Sequence, residues 1–247
     1  MNWEVILSGE NSGKFNMDFD LELAKSFHSI PVLRLYRWKP YCISLGANQS
    51  MDEINIEKAS TDNIDVIKRP TGGRAILHSE ELTYSVVFPI ELNYSAKAIY
   101  NEINLALKEG LIFYNPILSQ LELEHNQADF KNFYKEDKSA ICFAVSSKSE
   151  INFNRKKFVG SAQRKIGKVV LQHGSILCGD FHLNITDYLN IEEQRKEEIR
   201  SEISNTTIDL KSILHQEINY ELLAECIILG FKKYFNSDVN VKEQIFQ

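Results

Sequence analysis

Several things are missing from this chain, and each absence narrows what it can be. No apolar run reaches the ~18 residues of a membrane-spanning helix, so no such helix and no membrane partner are expected. The opening Met1-Asn2-Trp3-Glu4-Val5 has no cationic segment followed by an apolar stretch. It does not read as a signal peptide, and a cytoplasmic location is expected. There are only 4 cysteines, Cys42, Cys142, Cys178 and Cys226, none at Cys-x-x-Cys spacing or beside a finger-like histidine. That argues against a structural metal site and for separate free thiols. Positive charge is in deficit: 28 Lys and Arg against 34 Asp and Glu leave a net charge of −6, which speaks against nucleic acid as a partner. Low-complexity linkers, internal repeats, a Walker-type phosphate loop and a Ser-His-Asp order are all absent.

What remains, 43% hydrophobic and 25% charged residues, is the composition of a globular domain with a real core. Phe15, Phe19, Leu23 and Phe27 recur every four residues and predict a helix over 15–28. Val32-Leu33-Arg34-Leu35-Tyr36-Arg37-Trp38 alternates apolar and basic residues like a half-buried strand, with residues 42–46 as its hairpin partner after Pro40. Further strands are expected at 64–69, 75–78 and 82–88. Ser95 caps a helix whose face is Ile99, Ile103, Ala106, Leu107 and Leu111. Beyond a polar stretch near 124–138, β signals return at 140–145, 150–153, 157–163, 168–172 and 175–178, with turns at Asn154-Arg155 and Ile166-Gly167. Residues 188–247 read as helical, with Leu222, Leu223, Cys226, Ile227 and Phe231 on the apolar face. Clustered strands interrupted by helices predict one α+β domain over 1–247.

Two segments could carry chemistry. In Lys68-Arg69-Pro70-Thr71-Gly72-Gly73-Arg74-Ala75-Ile76-Leu77-His78, paired glycines let the backbone approach a ligand and free its amides to donate to an oxygen. An ordinary β-turn is the plainer reading. In Lys157-Phe158-Val159-Gly160-Ser161-Ala162-Gln163, Lys157 is placed to stabilise a carboxylate, a phosphate or a thiolate; otherwise it is one solvated cation among Arg155 and Lys156. Cys142 precedes Lys157 by fifteen residues, close enough for a hairpin to join thiol and ammonium into a low-pKa nucleophile, or else it is inert core filling. His173 ends a strand and either lines a pocket or makes a structural hydrogen bond. Thiol, ammonium and Gly turns together point to acyl transfer.

These residues carry a resemblance. The Lys68–His78 segment resembles the RRxTGGxAVxH loop of lipoate–protein ligases and octanoyltransferases, with Lys68 in place of the first Arg. Lys157–Ala162 resembles their KxxGSA segment and Gln172-His173-Gly174-Ser175-Ile176-Leu177 the strand that follows; residues 16–20 and 45–49 match as well. The resemblance covers about residues 1–235. It implies a biotin/lipoate–protein-ligase-like catalytic domain of mixed, largely antiparallel sheets flanked by helices. The Ala140-Ile141-Cys142-Phe143-Ala144 segment resembles the ligase-like octanoyltransferases, which work through a cysteine thioester.

The resemblance therefore implies transfer of an octanoyl group from octanoyl-acyl carrier protein, through Cys142, to a lipoyl-domain lysine. The acceptor would be a glycine cleavage H protein or a 2-oxoacid dehydrogenase E2. Lys157 is the second catalytic residue. Arg69, Thr71, Gly72, Gly73, Arg74, Ala75, His78, Gly160, Ser161, Ala162, His173 and Gly174 are the substrate-binding set, and Ala75, Ile76 and Val86 are candidates for an acyl tunnel. No cofactor is expected. The alternatives are an ATP-dependent lipoate–protein ligase, using ATP and Mg with Cys142 as a bystander, and a non-catalytic acyl-binding relative. Carrier proteins and lipoyl domains are acidic as the resemblance implies, and Arg155, Lys156, Arg164, Lys165 and Lys168 form a candidate landing patch.

Overall fold

Period-two alternation builds the centre of the molecule. The computed structural model describes residues 2–26, 29–90, 95–123 and 150–243. Its strands are β1 (Trp3–Asn11), β2 (Val32–Trp38), β3 (Cys42–Leu45), β4 (Asp65–Lys68), β5 (Ile76–His78), β6 (Glu81–Pro89), β7 (Glu122–Leu123), β8 (Ile151–Phe153), β9 (Lys156–Ile166), β10 (Val169–Leu177) and β11 (Val239–Glu243). Among the described residues, eight of them form one sheet in the order β11-β1-β2-β6-β10-β9-β8-β7, and β4-β3-β5 form a second. β1 runs parallel to both β2 and β11, and β3 to β4; the other pairings are antiparallel. The helices are α1 (Gly13–Lys25), α2 (Ile56–Thr61), α3 (Ala96–Tyr114), α4 (Glu193–Thr206), α5 (Leu210–Leu214) and α6 (Tyr220–Phe235).

One face of the large sheet is apolar. Leu33 and Leu35 of β2, Leu82, Tyr84, Val86 and Phe88 of β6, and Val170 and Ile176 of β10 pack with Ile99, Ile103, Leu107 and Leu111 of α3 and Leu223, Ile227 and Phe231 of α6. Glycines set how closely the two helices approach. A Cβ at Gly230 would lie 2.2 Å from the Gly110 nitrogen, and one at Gly110 2.6 Å from the Ile227 Cα. The opposite face of the sheet receives α1 and, through a second core of Ile43, Leu45, Ala75, Ile76 and Leu77, the small sheet.

Several expectations need correcting. β3 is not a hairpin partner of β2. Both edges of β2 are already taken by β1 and β6, so the chain crosses after Pro40 into the other sheet. Residues 168–172 and 175–178 belong to one strand, because His173-Gly174 stays extended and paired with Ser85 and Tyr84. The C-terminal part is not helical throughout: Asn236 ends α6 in the left-handed conformation, and β11 fills the free edge of β1. The strand β1 itself carried no reading. α1 buries Asn16, Met17, Asp20 and Ala24 rather than a phenylalanine stripe, and Leu222 of α6 is exposed. The strand expected at 140–145, with Cys142, lies outside the described residues, as does Phe27. No helix among the described residues is long and apolar enough to cross a membrane.

Candidate active site

The face of the large sheet turned away from α3 is lined with polar and aromatic side chains. Alternation puts Arg34, Tyr36 and Trp38 of β2, Glu81, Thr83 and Ser85 of β6, and His173 and Ser175 of β10 on this side, all at most 6% exposed. Burying that much polarity requires partners, and two carboxylates supply them.

Glu81 is the first hub. Its Oε1 accepts from Thr83 Oγ1 (2.5 Å), Ser175 Oγ (2.7 Å) and Trp38 Nε1 (3.2 Å), and lies 2.8 Å from His78 Nδ1. Burial pushes this carboxyl up, but the His78 ring, by charge and hydrogen bond, with the Thr83 and Ser175 hydroxyls, holds it below its ordinary value. Asp20, brought in by α1, is the second. It accepts from Arg34 Nη1 (2.8 Å), Ser85 Oγ (2.8 Å) and Tyr36 Oη (3.0 Å). Burial opposes its charge, yet His173 and the Arg34 guanidinium keep its pKa lowered. Arg34 is fully buried, its guanidinium 3.9 Å from the Tyr36 ring centroid. The alternating basic pattern of β2 therefore does not mean a solvated face.

The small sheet and its glycine loop close over these hubs. Arg69 is buried and acts as a clasp: it donates to the carbonyls of Ser44 (2.8 Å), Gly72 (2.8 Å) and Arg74 (2.7 Å). Its guanidinium thus shapes the turn. Thr71 Oγ1 meets His173 Nε2 at 2.6 Å, while Nδ1 of the same ring stands 3.5 Å from Asp20. Desolvation depresses the His173 pKa, so its ring favours the neutral form. Gly46 has to be glycine, since a Cβ there would lie 1.9 Å from the Gly73 carbonyl oxygen. Gly174 likewise lets β10 pass β9, where a Cβ would meet the Gly160 oxygen at 2.4 Å.

Between the layers is a cavity of about 430 Å³ when the open space at its mouth is counted. Met17, Tyr36, Trp38 and Ile76 give it apolar wall; Arg69, His78, Thr83, Lys157, Gly160, Ser161, Ala162, His173, Gly174 and Ser175 complete the lining. Nine residues singled out in the sequence, Ile76 of the expected acyl tunnel among them, thus meet in one cavity. Thr71 is one hydrogen bond away. Gly72 and Gly73 are exposed, Arg74 is half-buried 3.8 Å from Glu53, and Ala75 and Val86 pack into the two cores instead. Lys157 is not a solvated strand lysine. It is 2% exposed and pairs with the buried Glu150 at 3.0 Å.

Cys142 lies outside the described residues. The described cysteines, Cys42, Cys178 and Cys226, are free and buried, and burial pushes all three thiols up, away from reactivity. The basic residues do not form one patch. Lys156 and Lys165 stand nine residues apart on β9, about 30 Å at strand rise. Arg164 donates to the Pro70 carbonyl at 2.6 Å, and Lys156 to that of Ser204 at 3.2 Å, leaving Lys165 and Lys168 exposed at one end.

Residues 12–232 match the lipoyl protein ligase A/B catalytic domain. The chain belongs to that family. Its relatives include proteins named octanoyltransferase LipM from Clostridioides difficile, 33% identical over 95% of this chain and 87% of the relative, and from Bacillus subtilis, 31% identical over 97% and 87%. Among solved structures, a lipoate-protein ligase A bound with ATP superposes with a TM-score of 0.76 at 19% identity, over 99% of this chain and 90% of that one. The bipartite lipoate protein ligase of Thermoplasma acidophilum, studied with its E2 lipoyl domain, gives 0.76 at 17%, over 99% and 88%. The expected catalytic domain of mixed sheets flanked by helices is therefore what the family has. Asp20, Arg34, Glu81, Glu150, Trp38, Thr83 and Ser175 had no assigned role from the sequence. The 16–20 match held the only signal for Asp20 and the 172–177 match the only one for Ser175; the others become visible only when strand faces are known.

Proposed function

We propose that this chain is an octanoyltransferase that moves an octanoyl group from octanoyl-acyl carrier protein to a lysine of a lipoyl domain, through a thioester on Cys142. The observation that carries the reading is similarity, at 31–33% identity over 94–97% of this chain and 86–87% of the relatives, to proteins named octanoyltransferase LipM. The buried Lys157 in the cavity wall supports it, as does the inert setting of the three other thiols.

In the first step the Cys142 thiolate attacks the thioester carbonyl. A new carbon–sulfur bond forms, the carrier's carbon–sulfur bond breaks, and the carrier thiolate leaves and takes a proton. Lys157 provides positive charge beside the reacting sulfur, favouring the thiolate. The candidates for oxyanion stabilisation are the backbone amides around Gly72-Gly73, the turn that Arg69 holds through the Gly72 carbonyl, and those of Gly160-Ser161-Ala162, which line the cavity. In the second step a neutral lipoyl-domain ε-amine attacks, the carbon–nitrogen bond forms, the carbon–sulfur bond to Cys142 breaks, and the proton lost by the amine regenerates the Cys142 thiol. One thioester replaces another and an amide follows, so no nucleotide is required. The H protein of glycine cleavage and E2 subunits are the acceptor class.

The test is transfer from octanoyl-acyl carrier protein to an apo lipoyl domain with ATP and Mg²⁺ omitted. Product formation supports the reading. Product only from free octanoate or lipoate with ATP and Mg²⁺ replaces it with a ligase.

A further inference from the structure

Successive residues of the glycine loop are tied down one by one. Arg164 of β9 donates to the Pro70 carbonyl (2.6 Å), His173 of β10 meets the Thr71 hydroxyl (2.6 Å), and Arg69 takes the Gly72 carbonyl (2.8 Å). The Thr71 carbonyl also accepts, from the Ala47 amide at 3.0 Å. A Thr-Gly-Gly turn brings little side chain of its own to pack, so these polar ties set where it lies. His173 is the tie that reaches both halves of the site. Its backbone pairs with Ala162 in the β9 wall of the cavity, while its ring carries Thr71, 102 residues away in sequence. The two sets of amides that could hold an acyl oxygen are therefore referred to one side chain.

The ring is itself fixed. It is buried, and Nδ1 stands 3.5 Å from Asp20, a carboxylate that Arg34, Tyr36 and Ser85 already hold in place. Negative charge on that side draws the ring proton to Nδ1. Nε2 is left as an acceptor, and the Thr71 hydroxyl donates to it. Burial, with Arg69 and His78 nearby, lowers the His173 pKa, and a neutral ring is what an acceptor at Nε2 requires. Both ring nitrogens are engaged, so neither is placed to take a proton from a thiol or an amine. His173 lines the cavity without being its acid or base.

We infer that His173 is a positioning residue for acyl transfer: through Thr71 it registers the glycine loop against Gly160-Ser161-Ala162, so that amides of the two segments converge on one acyl oxygen. The inference rests on the acyl-transfer reading of the cavity. It gives His173 no contact with the reacting atoms; the effect passes through the loop.

The experiment measures octanoyl transfer from the carrier protein to an apo lipoyl domain. Thr71→Val removes the donor and keeps the branched shape. A 1 Å misplacement costs up to about 10²-fold, so kcat should fall about 10–100-fold while KM stays within about twofold. Thr71→Ser keeps the hydroxyl and should recover most of that loss. His173→Phe breaks the same contact from the other side, and the double variant with Thr71→Val should be no slower than the slower single one. The pH profile of Cys142 alkylation should not move in Thr71→Val, which separates the loop from the thiol. Where His173→Phe does not fold, the two Thr71 variants decide alone. A Thr71→Val protein with wild-type kcat overturns the inference. So does a loss confined to KM, a Thr71→Ser as slow as Thr71→Val, or a shifted alkylation profile. The same variants are run with free octanoate, ATP and Mg²⁺. A wild-type protein active only there refutes the transferase reading, while the comparison of Val with Ser at position 71 still judges His173.

Discussion

Glu81→Gln isolates charge from shape at the heart of the site. All four donors of this hub converge on Oε1, and an amide oxygen can occupy the same place, so the substitution keeps the geometry and removes the charge. A hydrogen bond to a charged group contributes ~1.5–3 kcal/mol and a neutral one ~0.5–1.5 kcal/mol, so the three short contacts lose about 1 kcal/mol each, about 3 kcal/mol together. Glu81→Ala strands the donors and should cost about 3–5 kcal/mol. The assay is urea unfolding followed by fluorescence, with unchanged slope as the check on cooperativity. The pH dependence has a definite sign. Because the folded carboxyl titrates below its ordinary value, its contribution is fully present above that value and fades as pH falls through the folded pKa. The gap between wild type and Glu81→Gln should therefore be full at neutral pH and close only in acid. A Gln variant within ~0.5 kcal/mol of wild type at pH 7, the range of an ordinary surface substitution, would refute the hub.

Three further outcomes are expected. Lys157→Ala should shift the pH profile of Cys142 alkylation upward, measured on protein in which the buried thiols are first shown to be unreactive; superimposable profiles would free Lys157 of that role. Gly46→Ala drives a Cβ into the Gly73 carbonyl and should disorder the glycine loop, read as lost transfer in a protein whose melting temperature falls by only a few degrees; unimpaired transfer would show that the loop is not rigid. Replacing Lys165 and Lys168 by Glu, with Arg164 left on Pro70, should lower kcat/KM for the carrier-bound donor at low salt, and the difference should shrink as salt rises. Equal loss on a small thioester at every salt concentration would place the damage in the fold.

How much of this was legible in the residues differs by level. α3 was readable because its five apolar positions are core and Ser95 caps it. The Asn154-Arg155 turn was readable because both residues take the left-handed conformation of a tight hairpin. Sheet membership was not readable: β2 and β3 are neighbours in sequence, and only the occupied edges of β2 send β3 elsewhere. At the site, the glycine loop and the Lys157 segment announced themselves by composition. Arg34 and Glu81 did not, since a buried ion pair looks in sequence like any surface charge, and its partner is supplied by another element. Trp38 acquires meaning only from register.

The central claim is a covalent octanoyl group on Cys142, formed without nucleotide. Incubating the protein with octanoyl-acyl carrier protein in the absence of ATP, then measuring its intact mass and mapping the adduct by peptide fragmentation, addresses it directly. The account predicts a single octanoyl adduct on Cys142 that is discharged by an apo lipoyl domain and absent from Cys142→Ser. A Cys142→Ser protein that still transfers octanoate at near the wild-type rate would contradict it.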